Sequence, residues 1–138
     1  MKNIFSSQYE KSVMSEELLE IAFDFDRDLN KLWAVEIATE EMRLSELEWH
    51  LDIPFFWQEN KPFSLKPRDV FNDPVRYKKW MDKIMNVDIS YPIDIIFWKG
   101  RWQILDGLHR LCKLYLLEVE FTKVRKIPLE SLKLIMPD

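Results

Sequence analysis

From Ile93 onward the chain changes its hydrophobic period twice in quick succession, and few folds accept that order of elements. Ile93, Ile95 and Phe97 alternate with Asp94, Ile96 and Trp98, Lys99-Gly100 supplies a turn, and Arg101 to Leu105 runs back. A two-residue period broken by such a turn predicts a β-hairpin. Past Asp106-Gly107 the apolar positions become Leu108, Leu111, Cys112 and Tyr115, the stripe of an amphipathic helix. A last strand, about 121 to 127, follows. Strand, turn, strand, helix, strand demands an α+β fold in which a small sheet carries helices on its flanks.

The junction between hairpin and helix, Ile104-Leu105-Asp106-Gly107-Leu108-His109-Arg110, has the makings of an anion site. N–H groups in the first turn of a helix lack intrahelical partners, and the helix dipole puts partial positive charge there. Gly107 allows close approach to the backbone. His109 and Arg110 fall off the apolar stripe, within reach of whatever sits at the helix start. Taken singly, Asp106 also reads as an N-cap, Gly107 as a turn residue and Arg110 as an exposed helix residue.

Composition narrows the class. With 138 residues, 47% of them hydrophobic, six Trp and nine Phe, the chain suits one domain with a proper core. Cys112 is the single cysteine and cannot form an intrachain disulfide. Met1-Lys2-Asn3-Ile4-Phe5 does not read as a secretory leader, and no run approaches a membrane span, so the expected location is the cytoplasm. A net charge of -4 argues against direct DNA binding. The charge is unevenly spread: from Lys99 to Lys126 basic residues outnumber acids seven to three, whereas residues 1–60 hold fourteen acids and five bases. The basic stretch contains the anion motif.

Upstream, residues 1–12 show no clear period and are expected to pack loosely. Ser15 then caps a helix, with Glu16 and Glu17 in its first turn and Leu18, Ala22, Phe25, Leu29 and Leu32 along one face. Residues 34 to 38 read as a short strand. Ser45 and Glu48 have the spacing of a capping box, Leu44 and Trp49 that of its hydrophobic staple, and Pro54 ends the helix they would start. Residues 61 to 70, bracketed by Pro62 and Pro67, read as a loop containing at most one helical turn. Asp73-Pro74 opens another helix, with Tyr77, Trp80, Met81 and Ile84 on its buried face. Ile53-Pro54-Phe55-Phe56-Trp57 places three aromatics in a row, expected to pack beneath the Pro-rich connection or else to form a contact surface. The expected organisation is a single domain, 1–138, with a helical extension over 1–40 and a core over 41–128.

Three stretches together carry a family likeness: Tyr91-Pro92-Ile93-Asp94-Ile95, then Ile104 through Leu111, then Val124-Arg125-Lys126-Ile127-Pro128. In this order they resemble the ParB/sulfiredoxin superfamily, over roughly residues 60–128 with 40–59 adjoining. The resemblance implies a small mixed sheet flanked by helices and a nucleotide whose phosphates are gripped by the segment from Asp106 to Arg110. Known members include CTP-hydrolysing partition proteins, ATP-dependent sulfinic-acid reductases and kinases acting on free serine. Sulfiredoxins place their reactive cysteine just before the His-Arg pair, where this chain has Leu108. Partition proteins carry Gly-Glu-Arg-Arg here and a helix-turn-helix module downstream, which this chain does not continue into. The Asp-Gly-x-His-Arg form is nearest to the free-serine kinases and to uncharacterised or DNA-modification-linked members.

What the resemblance implies can be stated residue by residue. Gly107, Leu108, His109 and Arg110 would bind the phosphates of ATP, ADP or CTP, with magnesium as the accompanying ion. Asp106 and His109 would take part in phosphotransfer or nucleotide hydrolysis, and Arg110 would stabilise charge on the moving phosphoryl group. A general base must come from elsewhere: Glu46, Glu48 and Asp52 are the options, with Glu48 foremost, and Asp94 a further one. Two histidines and one cysteine cannot build a typical zinc site, so no metal-ligating residues are assigned. The alternative function is a non-catalytic interaction or regulatory module that keeps the fold and meets a protein partner or a second copy of itself.

Overall fold

A computed structural model describes residues 12–138, and the loosely packing stretch expected over residues 1–12 falls almost wholly outside them. The fold is α+β. Its main sheet has four strands in the order β1 (Glu40–Arg43), β6 (Phe121–Lys126), β4 (Ile93–Trp98), β5 (Arg101–Asp106). β6 runs parallel to β4 and antiparallel to β1, and β5 is antiparallel to β4, so the sheet is mixed. A second, two-stranded sheet joins β2 (Phe56–Gln58) to β3 (Lys61–Leu65). The α-helices lying wholly within the described residues are α1 (Glu16–Ile21), α2 (Leu29–Ala34), α3 (Pro67–Asn72), α4 (Lys78–Met85), α5 (Leu108–Leu116) and α6 (Leu132–Ile135). No helix among the described residues is long and apolar enough to cross a membrane.

The hairpin and its helix form where the periods place them, because the alternation of β4 puts Ile93 and Ile95 on one face and Asp94, Ile96 and Trp98 on the other. All four residues from Ile93 to Ile96 are buried, so this central strand is covered on both sides. α5 packs against β4 with its Leu111 and Cys112 buried, and burial pushes the Cys112 thiol up to about 12, which makes it unreactive. The N-terminal segment covers the second face. Phe23 and Phe25 both pack on Trp98, with ring centroids at 5.6 and 5.5 Å, and the Trp98 indole donates to the Ala22 carbonyl.

That packing corrects the single long helix expected after Ser15. Ser15 does cap α1 by accepting from Leu18 N–H, but two aromatics at a spacing of two cannot both face the sheet from a helix. The chain therefore leaves α1 at Ile21, runs irregularly through Phe25 and restarts at Leu29, where Asp28 accepts from Lys31 N–H. The strand expected at 34–38 is absent. Val35 ends α2, and the Leu32 and Val35 carbonyls are taken by Arg125 at 2.8 and 2.6 Å.

The Ser45–Glu48 capping box does not form. Residues Leu44–Glu46 and Glu48–Asp52 make two short 3-10 turns without side-chain caps, and Pro54 lies just beyond them as expected. In the stretch over 61–70 the expected helical turn is the start of α3, but the loop before it is the strand β3: Phe63 and Leu65 alternate into the core, a period masked by Pro62 and Pro67. Asp73 closes α3 instead of opening a helix. Its carboxylate accepts from Arg76 N–H in a turn, and α4 begins at Lys78, with Ile84 buried and Tyr77, Trp80 and Met81 half-buried.

β5 lies at a sheet edge, yet side chains occupy its backbone. Trp49 Nε1 donates to the Trp102 carbonyl (3.2 Å), Ile104 N–H donates to His50 Nε2 (3.0 Å), and Arg27 Nε donates to the Leu105 carbonyl (2.6 Å). Opposite β4, Asp106 pairs with Asp94 and Ile104 with Ile95, which leaves Leu105 as the extra residue of a bulge. The bulge turns the strand end toward α5, and an edge bonded this way offers little to a foreign strand.

Candidate functional site

A cavity of about 550 Å3 opens at the junction of β5 and α5. Its floor is the run from Ile104 to Arg110, its roof is Phe55, Phe56, Trp57 and Trp80, and Arg27 and Lys83 enter from two other elements. A volume in the range of small-molecule sites, aromatic walls and a few converging polar groups are the usual attributes of a ligand pocket. Gly107, Leu108, His109 and Arg110 are thus brought to one place, together with Asp106.

Gly107 is the first cap of α5 and adopts φ +120°, a conformation L side chains rarely hold. A Cβ there would lie 3.2 Å from Ile93 Cγ2. Gly107, not Asp106, therefore occupies the N-cap, and no side chain covers the helix start. Gly107→Ala should cost about 1–3 kcal/mol in urea unfolding through backbone strain and crowding of Ile93, and an unchanged midpoint would contradict the strained turn.

Arg110 lines the cavity and is held within the fold. Far from being an exposed helix residue, it sets one terminal nitrogen 2.8 Å from Asp106 Oδ2 and donates from the other to the Pro92 carbonyl. The same Asp106 oxygen accepts from Trp33 Nε1 at 2.8 Å. Asp106 and Arg110 form a brace that fixes the strand end against the helix, so Arg110→Ala removes structure as well as charge.

His109 lies under the roof, its ring 5.7 Å from Phe56 and 6.2 Å from Trp80. Burial, then the nearby Lys83 ammonium, hold its pKa below the usual value against an opposing pull from Asp106. Near neutral pH the ring is uncharged: one nitrogen donates and the other accepts. Lys83 itself is exposed and lies 4.8 Å from the Trp80 ring centroid, with Trp80 stacked on Phe56 at 4.2 Å.

The acids considered as bases lie elsewhere. Glu48 lines a second cleft of about 410 Å3 with Leu44, Tyr115, Leu116, Glu118 and Val119. Asp52 pairs with Arg68, whose side chain holds its carboxyl below the usual range, and Glu46 does not line the cavity. Asp94 is buried beneath the N-terminal segment, 2.6 Å from Arg125 Nε. Among the described residues no group of three His, Cys, Asp or Glu side chains is placed to hold a metal ion.

Two cavity residues escaped the sequence reading. Lys83 lies on the polar side of the α4 stripe, where any lysine looks like solvent-facing decoration. Arg27 is a lone base among Asp24, Asp26 and Asp28, a contrast that was the one available signal. Of the three consecutive aromatics, Phe55 and Phe56 are buried as expected and Trp57 stays 42% exposed at the roof.

No protein-family model, no curated protein and no solved structure matches the chain. What the fold defines by itself is a small α+β domain with a mixed four-stranded sheet and a pocket at a strand-to-helix junction.

Proposed function

We propose that this protein is a nucleotide-binding domain of ParB/sulfiredoxin type whose ligand occupies the β5–α5 cavity. One observation carries the reading: uncapped helix N–H groups at Gly107–His109 and the basic side chains Arg27 and Lys83 border the same space as four aromatic rings. Phosphates suit the first set and a base the second. With Arg110 already held by Asp106 and Pro92, Lys83 and the helix start become the main phosphate contacts and Arg110 their support. The ligand is ATP, ADP or CTP, carrying magnesium on its own phosphates.

Phosphoryl transfer or nucleotide hydrolysis extends the proposal through His109. A neutral imidazole can accept the proton of an attacking hydroxyl or water, while helix start and cations stabilise the phosphoryl oxygens. The Asp106 carboxylate, tied to Arg110 and Trp33, acts as an orienting group.

The test is a thermal-shift panel with ATP, ADP, CTP, GTP and inorganic phosphate, with and without magnesium, on wild type and Lys83→Ala. A nucleotide at a hundredfold excess over its dissociation constant should stabilise the wild type by about 2.7 kcal/mol. Lys83→Ala, at an exposed position, should keep its own midpoint and lose most of that shift. Removing the ammonium should also move the His109 pKa upward in NMR titration. If no ligand moves either protein, the exposed Trp57 becomes the better guide and a protein partner the better reading.

A further inference from the structure

We propose that the N-terminal segment around α2 is a working part of this cavity: Arg27 is a ligand-binding residue, and docking of residues 16–35 on the sheet is coupled to ligand binding. The inference rests on the reading of the cavity as a phosphate-ligand site and adds to it the element that completes and regulates the site.

Arg27 borders the same cavity as Lys83 and is anchored to the Leu105 carbonyl across 78 positions of sequence. That carbonyl belongs to the bulge residue, so the irregularity that aims β5 at α5 also seats the arginine at the pocket wall. Burial pulls the Arg27 pKa down to about 10, against the attraction of Asp106 and Asp26, and the guanidinium remains charged at neutral pH. A half-buried cation gains more from an anionic ligand than a fully exposed one does.

The same segment reaches the site a second time. Trp33 donates to the Asp106 oxygen that holds Arg110, so α2 steadies the carboxylate on which the position of Arg110 depends. The segment is moored to the sheet by Arg125 on the Leu32 and Val35 carbonyls and by Trp98 on that of Ala22, and to the C-terminal residues by Asp28 N–H on the Ile135 carbonyl and Lys31 on that of Met136. A ligand touching Arg27 binds the docked form more tightly, and by reciprocity it stabilises docking by the same factor.

Two measurements with ATP decide the matter. In calorimetry Arg27→Gln should bind ATP about tenfold or more weakly than wild type, with Arg27→Lys, which keeps the charge, in between. In hydrogen exchange of the wild-type protein, saturating ATP should slow the amides of residues 16–35 about tenfold. Equal ATP affinity in wild type and Arg27→Gln, or unaltered exchange over 16–35 when ATP binds, would overturn the inference while leaving the cavity reading intact. Failure of the wild type to bind ATP, ADP and CTP alike would overturn both. The exchange experiment needs no variant, so it holds even if Arg27→Gln unfolds.

Discussion

Replacing Arg125 with methionine should lower stability by about 3–5 kcal/mol, the usual consequence of leaving a buried ion without its partner. The Asp94 carboxylate is nearly inaccessible, and Arg125 Nε lies 2.6 Å from it while the terminal nitrogens donate to Leu32 and Val35 carbonyls. One substitution thus strands a charge and two acceptors. Burial already pushes the Asp94 carboxyl above the ordinary carboxylate range, with Arg125 opposing it. Without the guanidinium the shift grows, so native Asp94 takes up a proton more readily than unfolded Asp94. The deficit should therefore be largest near neutral pH and shrink as the pH falls. Adding Asp94→Asn to the variant should recover part of the loss. Urea unfolding of the three proteins checks this, and a loss below about 1 kcal/mol would show that water replaces the pair.

The second large effect belongs to His50. This ring is 1% exposed, accepts from Ile104 N–H at Nε2 and donates from Nδ1 to the Leu47 carbonyl at 2.8 Å. Protonation would destroy the Nε2 bond, and burial drops the pKa to about 3 from the ordinary 6.5. Between those values the unfolded chain binds a proton that the native one refuses. Stability is complete above about pH 6.5 and declines as the pH falls toward 3, by up to about 1.4 kcal/mol per unit. His50→Gln keeps a donor and an acceptor without titrating, so it should be less stable at neutral pH but lack this part of the slope. Parallel stability curves for the two proteins between pH 4 and 7 would show that the ring is not neutral in the native state.

These two residues also mark where sequence reading stops. The hairpin, the turn at Lys99-Gly100 and α5 were legible because local periodicity and local packing agree there. The breaks in the N-terminal helix were not, because Phe23 and Phe25 answer to Trp98, far along the chain. Pro62 and Pro67 suggested a loop where Phe63 and Leu65 made a strand. Within the site, the run Asp106–Arg110 was found from its own chemistry, but the roles inside it were set by Trp33, Pro92 and Lys83. Glu48 looked available as a base only because no spacing in the sequence reveals which cleft a residue will line. His50, one of the two histidines of the sequence, proves to be a fastener for the edge of β5.

The mooring of α2 by Arg125 has a consequence for how the protein is made. Leu32 and its anchor are 93 positions apart, and Asp28 N–H waits for the Ile135 carbonyl. At ribosomal speeds, roughly 5–20 s pass between synthesis of the segment and synthesis of its dock. During that interval Leu18, Ile21, Phe23, Phe25 and Leu32 emerge with nowhere to bury themselves. The nascent chain thus offers an early, sticky stretch to chaperones or to neighbouring polypeptides, and its closing step must follow translation of the sheet.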